Sequence, residues 1–280
     1  MTGPRIEARF AHYLYGKAPG WALQTDQRFS YYTYVPPRLA GQPGPVPIVL
    51  VVHGTLRQPT VYRDAFAEFA EEHGCVVLAP LFPCGIEDPD DVDNYKRLEL
   101  HGIRFDLLLI RMVEEFAGRY GFEPGPLLLH GFSGGAQFAH RFLLLHAERL
   151  TAVSIGAPGA VTLLDEERDW WVGTRDLAER FGKAVDPAAL RRVRVLTVIG
   201  EQDHGGEEVW VPETSRHWMP EANRAGADRQ ERLLALKRNL TAYGVEVERG
   251  VVPGAGHKGS AMLPVVRDFF ARILTEGKPE

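Results

Sequence analysis

The chain is poor in most of the features that would place it outside the ordinary globular class. Its 280 residues include only two cysteines, Cys75 and Cys84, which excludes a disulfide framework, and their spacing is not that of a zinc site. Cys75 opens the apolar run Cys75-Val76-Val77-Leu78-Ala79 and reads as a buried free thiol. A disulfide is not expected in a reducing compartment. No apolar run approaches the ~18 residues of a membrane span; Ile48–Val52 and Leu107–Ile110 are among the longest. The net charge of −5 is small for this length, so neither nucleic acid nor a membrane is expected as partner. The opening Met1–Glu7 lacks the apolar stretch of a secretory signal, which points to a cytoplasmic protein. There is no internal repeat, low-complexity tract or long charge run.

What is present is a composition that is 45% hydrophobic and 25% charged, enough to bury a large core without metals or cross-links. Residues 1–45 read as an N-terminal extension. Its aromatic strand, Phe29–Val35, joins the edge of a sheet, where the rings pad the edge or pair with another chain. The turn Gly41-Gln42-Pro43-Gly44-Pro45 then leads into residues 46–280, read as one catalytic domain. Pro47–Val52 is a continuous apolar run suited to a strand buried on both faces, and further strands are read at Cys75–Ala79, Pro126–His130, Thr151–Ile155, Val193–Ile199 and Val245–Val251. Helical spacing falls at Val61–Glu72, His101–Tyr120, Gly134–Ala147, Glu221–Tyr243 and Ala261–Leu274. This alternation predicts an α/β fold with a mostly parallel sheet covered by helices on both faces.

Two stretches break the alternation. Residues 157–192 hold Trp170-Trp171 and a helical piece, Arg175–Phe181; residues 205–220 hold Trp210 and Trp218. Segments this long are usually functional or disordered. The first is expected to form a cap or pocket wall. The four tryptophans either line a pocket or pack onto the core, and the sequence leaves both readings open.

The chemistry is concentrated in Leu129-His130-Gly131-Phe132-Ser133-Gly134-Gly135. A Gly-x-Ser-x-Gly run between a strand and a helix puts its serine on a sharp, strained turn, with the hydroxyl exposed and a helix N-terminus pointing at it. A serine hydroxyl needs a base. His257, in the glycine-rich loop after the last strand, is the candidate; His130 is read as structural. The base needs a carboxylate to orient it. Asp203 follows a buried strand and is preferred over Glu201 and Asp165. The order Ser133, Asp203, His257 is the one expected for a strand–elbow–helix hydrolase. Oxyanion donors are assigned to the N–H groups of Gly134 and Thr55. His53 is read as a brace for the loop His53-Gly54-Thr55.

Taken together, the elbow, the His53-Gly54 loop, Asp203 and His257 resemble the α/β-hydrolase superfamily over roughly residues 45–275. Within it, His53-Gly54-Thr55 and Gly131-Phe132-Ser133-Gly134-Gly135 are similar to the esterase and polyhydroxyalkanoate-depolymerase-like branch. Thr55 and Leu56 stand where hormone-sensitive-lipase-like esterases carry glycines. The resemblance implies hydrolysis of a small-molecule carboxylic ester through an acyl-serine intermediate, with no metal or organic cofactor. The rate is expected to rise with pH as an imidazole base loses its proton, around the ordinary value of about 6.5. Peptidase, thioesterase, acyltransferase and lyase chemistry on the same residues are alternatives, as is a non-catalytic ligand-binding protein. Phe82–Ile86 is a further candidate lining loop, and the charges of Asp88–Asp93 are candidates for repelling anionic substrates.

Overall fold

The computed structural model describes residues 8–42 and 44–276. The opening Met1–Glu7, and Pro43 of the expected turn, lie outside the described residues. The chain forms two compact units, one running up to His130 and resuming at Arg267, the other spanning Gly131–Val266.

In the first unit the strands are β1 (Gly16–Lys17), β2 (Trp21–Ala22), β3 (Ser30–Val35), β4 (Pro45–Val52), β5 (Val76–Leu81), the short pair β6 (Glu99–Leu100) and β7 (Ile103–Arg104), and β8 (Glu123–Phe132), whose last two residues pass into the second unit. β4 and β5 are parallel. Ile48 to Val52 are all buried, as expected of a strand covered on both faces, and each such side chain contributes about 1.5–3 kcal/mol. β3 runs antiparallel to β5. Tyr31 is fully buried and its hydroxyl donates to Glu115 Oε1 (2.8 Å). Two-residue β1 and β2 pair along the outer side of β3, and edge strands this short offer little template for another chain.

Helical spacing over Val61–Glu72 resolves into two helices, α1 (Pro59–Ala65) and α2 (Ala67–His73). The break falls at Phe66 (φ −106°, ψ 4°), which is fully buried against Phe69 and Phe270. A second difference concerns His101, expected in a helix. β6 and β7 form a hairpin whose turn residues, His101 (φ 52°) and Gly102 (φ 77°), both have positive φ. Two such residues suit a tight two-residue hairpin turn. The helix α3 therefore starts at Phe105 and ends at Tyr120.

The loop after β4 is held by buried polar groups. His53 is fully buried; its Nδ1 lies 2.9 Å from the Gly54 carbonyl, and its Nε2 accepts from the Phe82 N–H at 3.1 Å. Donating from Nδ1 and accepting at Nε2 requires the neutral ring, and burial pushes its pKa down to about 4. Arg57 clamps its own loop to two points of the loop after β5, donating to the carbonyls of Thr55 (2.7 Å), Phe82 (2.8 Å) and Val92 (2.8 Å). In the Asp88–Asp93 stretch, Asp88 and Asp91 accept from the backbone N–H groups of Asp90 and Asp93, while Asp93 pairs with Lys96. Those carboxylates fold their own loop.

The second unit contains α4 (Gly134–His146), β9 (Ala152–Gly156), the short helices α5 (Leu177–Phe181) and α6 (Pro187–Leu190), β10 (Arg194–Gly200), α7 (Arg229–Ala242), β11 (Val247–Val252) and the first part of α8 (Gly259–Glu276). β9, β10 and β11 are parallel in that order. β9 is buried throughout, β10 in all but its first residue, and α4 along its whole length. α7 begins at Arg229, eight residues later than the spacing suggests. Gly226 (φ 142°) turns the chain, and Asp228 caps the helix by accepting from the Glu231 N–H at 2.9 Å. Among the described residues no helix is long and apolar enough to cross a membrane. Both cysteines are free, Cys75 buried with its thiol pushed up to about 12 by desolvation, Cys84 exposed.

Residues 157–181 are pinned from inside. His140 accepts from the Thr162 N–H (3.0 Å) while its Nδ1 meets the Ala136 carbonyl (2.8 Å). The Thr162 hydroxyl donates to the Trp171 carbonyl and accepts from buried Arg141 Nε at 2.8 Å. The Arg141 guanidinium also lies 5.5 Å from the Trp171 ring, a cation–π distance.

Burial holds His53 and His140 in the neutral form, with pKa values below the unfolded one. The stability that each neutral ring contributes is complete above about pH 6.5 and is lost as pH falls; for His53 the loss runs toward about pH 4 and amounts to about 3 kcal/mol. Urea unfolding at pH 7 and pH 5 should show a lower midpoint at pH 5, and His53→Asn should flatten that dependence. A midpoint unchanged between the two pH values would contradict the buried neutral rings.

Candidate active site

Ser133 sits where β8 turns into α4, at φ 55° and ψ −115°. A non-glycine residue with this backbone is strained, and such strain persists only where the surroundings impose it. Here a Cβ on Gly131 would lie 2.1 Å from the Gly135 carbonyl oxygen. Only glycine lets the incoming strand and the outgoing helix pass so closely. The Ser133 N–H donates to the Gly156 carbonyl at 2.8 Å, which ties the turn to β9. Gly134 is the first residue of α4, so its N–H is one of the helix donors without an acceptor in its own helix.

Ser133, His257 and Asp203 are brought together. His257 Nε2 lies 3.0 Å from Ser133 Oγ, and His257 Nδ1 lies 2.7 Å from Asp203 Oδ2. An ionised carboxylate only accepts, so Nδ1 carries the proton and Nε2 presents its lone pair to the hydroxyl. The Phe132 ring packs on the imidazole, with centroids 4.7 Å apart. Asp203 is 2% exposed.

The loops bearing Asp203 and His257 are stitched together. The Glu201 N–H donates to the Val252 carbonyl (3.0 Å) and the Gln202 N–H to the Ala255 carbonyl (2.8 Å). Glu201, the rival acid, accepts from the Gly254 N–H at 2.8 Å and so fastens the His257 loop. A Cβ on Gly200 would meet the Ala255 carbonyl oxygen at 2.3 Å. Asp165, the other rival, is engaged by Arg168 and Arg224 and does not contact His257. His130 is fully buried, with its ring 6.1 Å from that of Phe66.

Thr55 belongs to the first unit, exposed in the loop that Arg57 clamps. The four tryptophans divide. Trp170 and Trp171 are buried, the latter donating from Nε1 to the His217 carbonyl (2.9 Å), whereas Trp210 and Trp218 are exposed.

One neighbour of this site carries no sequence motif. Arg229, the first residue of α7, is 5% exposed and reaches Asp203 Oδ1 (3.4 Å), the Gly205 carbonyl (3.3 Å) and Glu208 Oε2 (2.9 Å). The Asp228-x-x-Glu231 spacing is a helix-start signal that locates the start of α7, but nothing in the sequence shows where the Arg229 side chain goes.

This arrangement belongs to a known class of fold: the chain has the α/β-hydrolase fold. It is similar to a poly(3-hydroxybutyrate) depolymerase from Bordetella parapertussis, at 25% identity over 97% of this chain and 95% of that one, with a TM-score of 0.71. Poly(aspartic acid) hydrolase-1 from Sphingomonas sp. KT-1 aligns at 19% identity over 86% and 92% of the two chains, with a TM-score of 0.66. An S-formylglutathione hydrolase from Agrobacterium tumefaciens aligns at 15% identity over 88% and 89%, with a TM-score of 0.56. No protein-family model and no curated protein sequence matches the chain.

Replacing Gly200 by alanine should push the His257 loop away from the β10 end. The expected result is a loss of about 2–4 kcal/mol of stability, read from the denaturant midpoint. A Gly200→Ala protein as stable as the parent would show that the close approach to Ala255 is not enforced.

Proposed function

We propose that the protein is a serine-dependent carboxylic ester hydrolase. The observation that carries this reading is the continuous hydrogen-bonded path from Ser133 Oγ through His257 to buried Asp203. Ser133 Oγ attacks the ester carbonyl while His257 Nε2 takes its proton. Asp203 holds the imidazole in the required tautomer and stabilises the imidazolium. The tetrahedral intermediate collapses as the proton passes to the departing alkoxide, leaving an acyl-serine. Water, deprotonated by His257, then hydrolyses that ester and returns Ser133 to its hydroxyl form.

The developing oxyanion is assigned to the N–H of Gly134, at the positive end of α4, together with the N–H of Thr55 on the strength of the family order. Each such donor typically contributes about 3–4 kcal/mol. The names of several similar structures, among them a poly(3-hydroxybutyrate) depolymerase, a ferulic acid esterase and esterase PE8, agree with this chemistry. A small-molecule ester as substrate, with neither nucleic acid nor membrane as partner and no cofactor, belongs to the proposal. So does a cytoplasmic location, with which an exposed free thiol at Cys84 is consistent.

The test is hydrolysis of p-nitrophenyl esters of increasing acyl length. Wild type should turn over, Ser133→Ala should lose at least about 10³-fold, and Asp203→Asn about 10³–10⁴-fold. Fluorophosphonate labelling should vanish with Ser133. Equal rates in wild type and Ser133→Ala would sink the proposal.

A further inference from the structure

Beneath the serine–histidine pair lies a buried charge that the hydrolytic scheme does not use. Arg229 approaches the Asp203 carboxylate through Oδ1, while His257 holds Oδ2. The side chains of both Arg229 and Asp203 are nearly sealed from water, at 6% and 1% exposure. The approach is built into the fold in two ways. Asp228 caps α7 and so sets Arg229 at the start of the helix. Gly205 leaves the guanidinium room, because a Cβ there would lie 2.8 Å from Nη1. The same guanidinium is shared outward with Glu208, whose side chain is 76% exposed.

We propose that Arg229 is a positioning residue for the Ser133–His257–Asp203 chain, fixing the Asp203 carboxylate from the side away from His257 and dividing its charge between two partners. The inference rests on His257 being the base of the proposed hydrolase. A carboxylate that serves one cation draws a proton onto the imidazole more strongly than one that serves two. Arg229 therefore lets His257 act as a free base at lower pH than Asp203 alone would allow. Glu208 opposes this by drawing part of the Arg229 charge outward. The charged groups that meet this chain or the His257 loop include Asp203 and Glu201 on the β10 loop, Arg229 on α7 and Glu208 on the loop after β10, with Lys258 next to His257 in the chain. Arg232, one turn along α7, faces away into the carbonyls of Gly159, Val209 and Gly226 and the side chain of Asn223.

The experiment is the pH dependence of ester hydrolysis at low ionic strength for wild type, Arg229→Met, Arg229→Lys and Glu208→Gln. In parallel, the His257 imidazole is titrated by NMR in the Ser133→Ala background, its resonance identified by its loss in His257→Gln. Arg229→Met should move the rising limb of the profile, and the imidazole titration, to higher pH by about half a unit or more. Arg229→Lys should hold both near the wild-type position. Glu208→Gln should move them the other way, by less, and the shift should shrink in salt. A packing role alone would lower the rate in Arg229→Met without moving the limb. Limbs that stay in place, or that move in one direction for both charge removals, overturn the proposal. If Arg229→Met does not fold, exposed Glu208→Gln decides: no movement at low salt overturns it. If no ester is turned over, the imidazole titration still judges Arg229. If esters are turned over and the titration does not move, the Arg229 inference fails and the hydrolase reading stands.

Discussion

The closest packing at the site is the approach of Gly131 to the Gly135 carbonyl. A strand must end, reverse and start a helix within about one turn, and at 2.1 Å from that oxygen there is no space for a methyl group. The reversal drives Ser133 into a backbone conformation it would not choose. The rigidity needed to hold it there comes from a fully buried α4 and from the Ser133 N–H bond to β9. The position of the hydroxyl, and hence the point to which the Asp203 and His257 loops must reach, follows from that one steric limit.

The same economy of space recurs at Gly200, where the β10 end and the His257 loop touch backbone to backbone. Asp203 and His257 are 54 residues apart, yet their relative placement is a matter of strand neighbours. Parallel β10 and β11 end side by side, and the loops leaving them exchange main-chain hydrogen bonds before any side chain is considered. The 2.7 Å contact between Asp203 and His257 is the last link in a chain of backbone contacts. Glu201 contributes to that chain by accepting from the Gly254 N–H.

Much of this could be read from residue order. The elbow is visible because glycines flank a serine between an apolar strand and a helical stretch, and steric necessity leaves that trace in any sequence. Asp203 is visible because it follows a buried strand closely, and His257 because it sits in a glycine-rich loop between the last strand and the last helix. The readings that differ from the structure share a cause. Leu100-His101-Gly102-Ile103 continues the apolar spacing of α3, so a two-residue hairpin turn hides inside an apparent helix. Residues 221–228 continue the spacing of α7 although Gly226 and the Asp228 cap hold the helix start at Arg229. Arg229 itself was illegible because its meaning lies in a partner 26 residues away and in the missing side chain of Gly205. Periodicity reports which face is buried; it carries no information about which buried polar atoms will meet.

The segment after β9 is fastened by side chains with almost no access to water: Arg141 through Thr162, His140 through the Thr162 N–H, and Arg232 through the Gly159 carbonyl. Swinging such a segment outward would strip buried guanidinium and imidazole groups of their acceptors, which the interior of a protein tolerates poorly. Residues 157–181 are therefore masonry rather than a door. Whatever meets this segment meets a surface whose shape was settled when the chain folded, with little disorder left to be lost on contact.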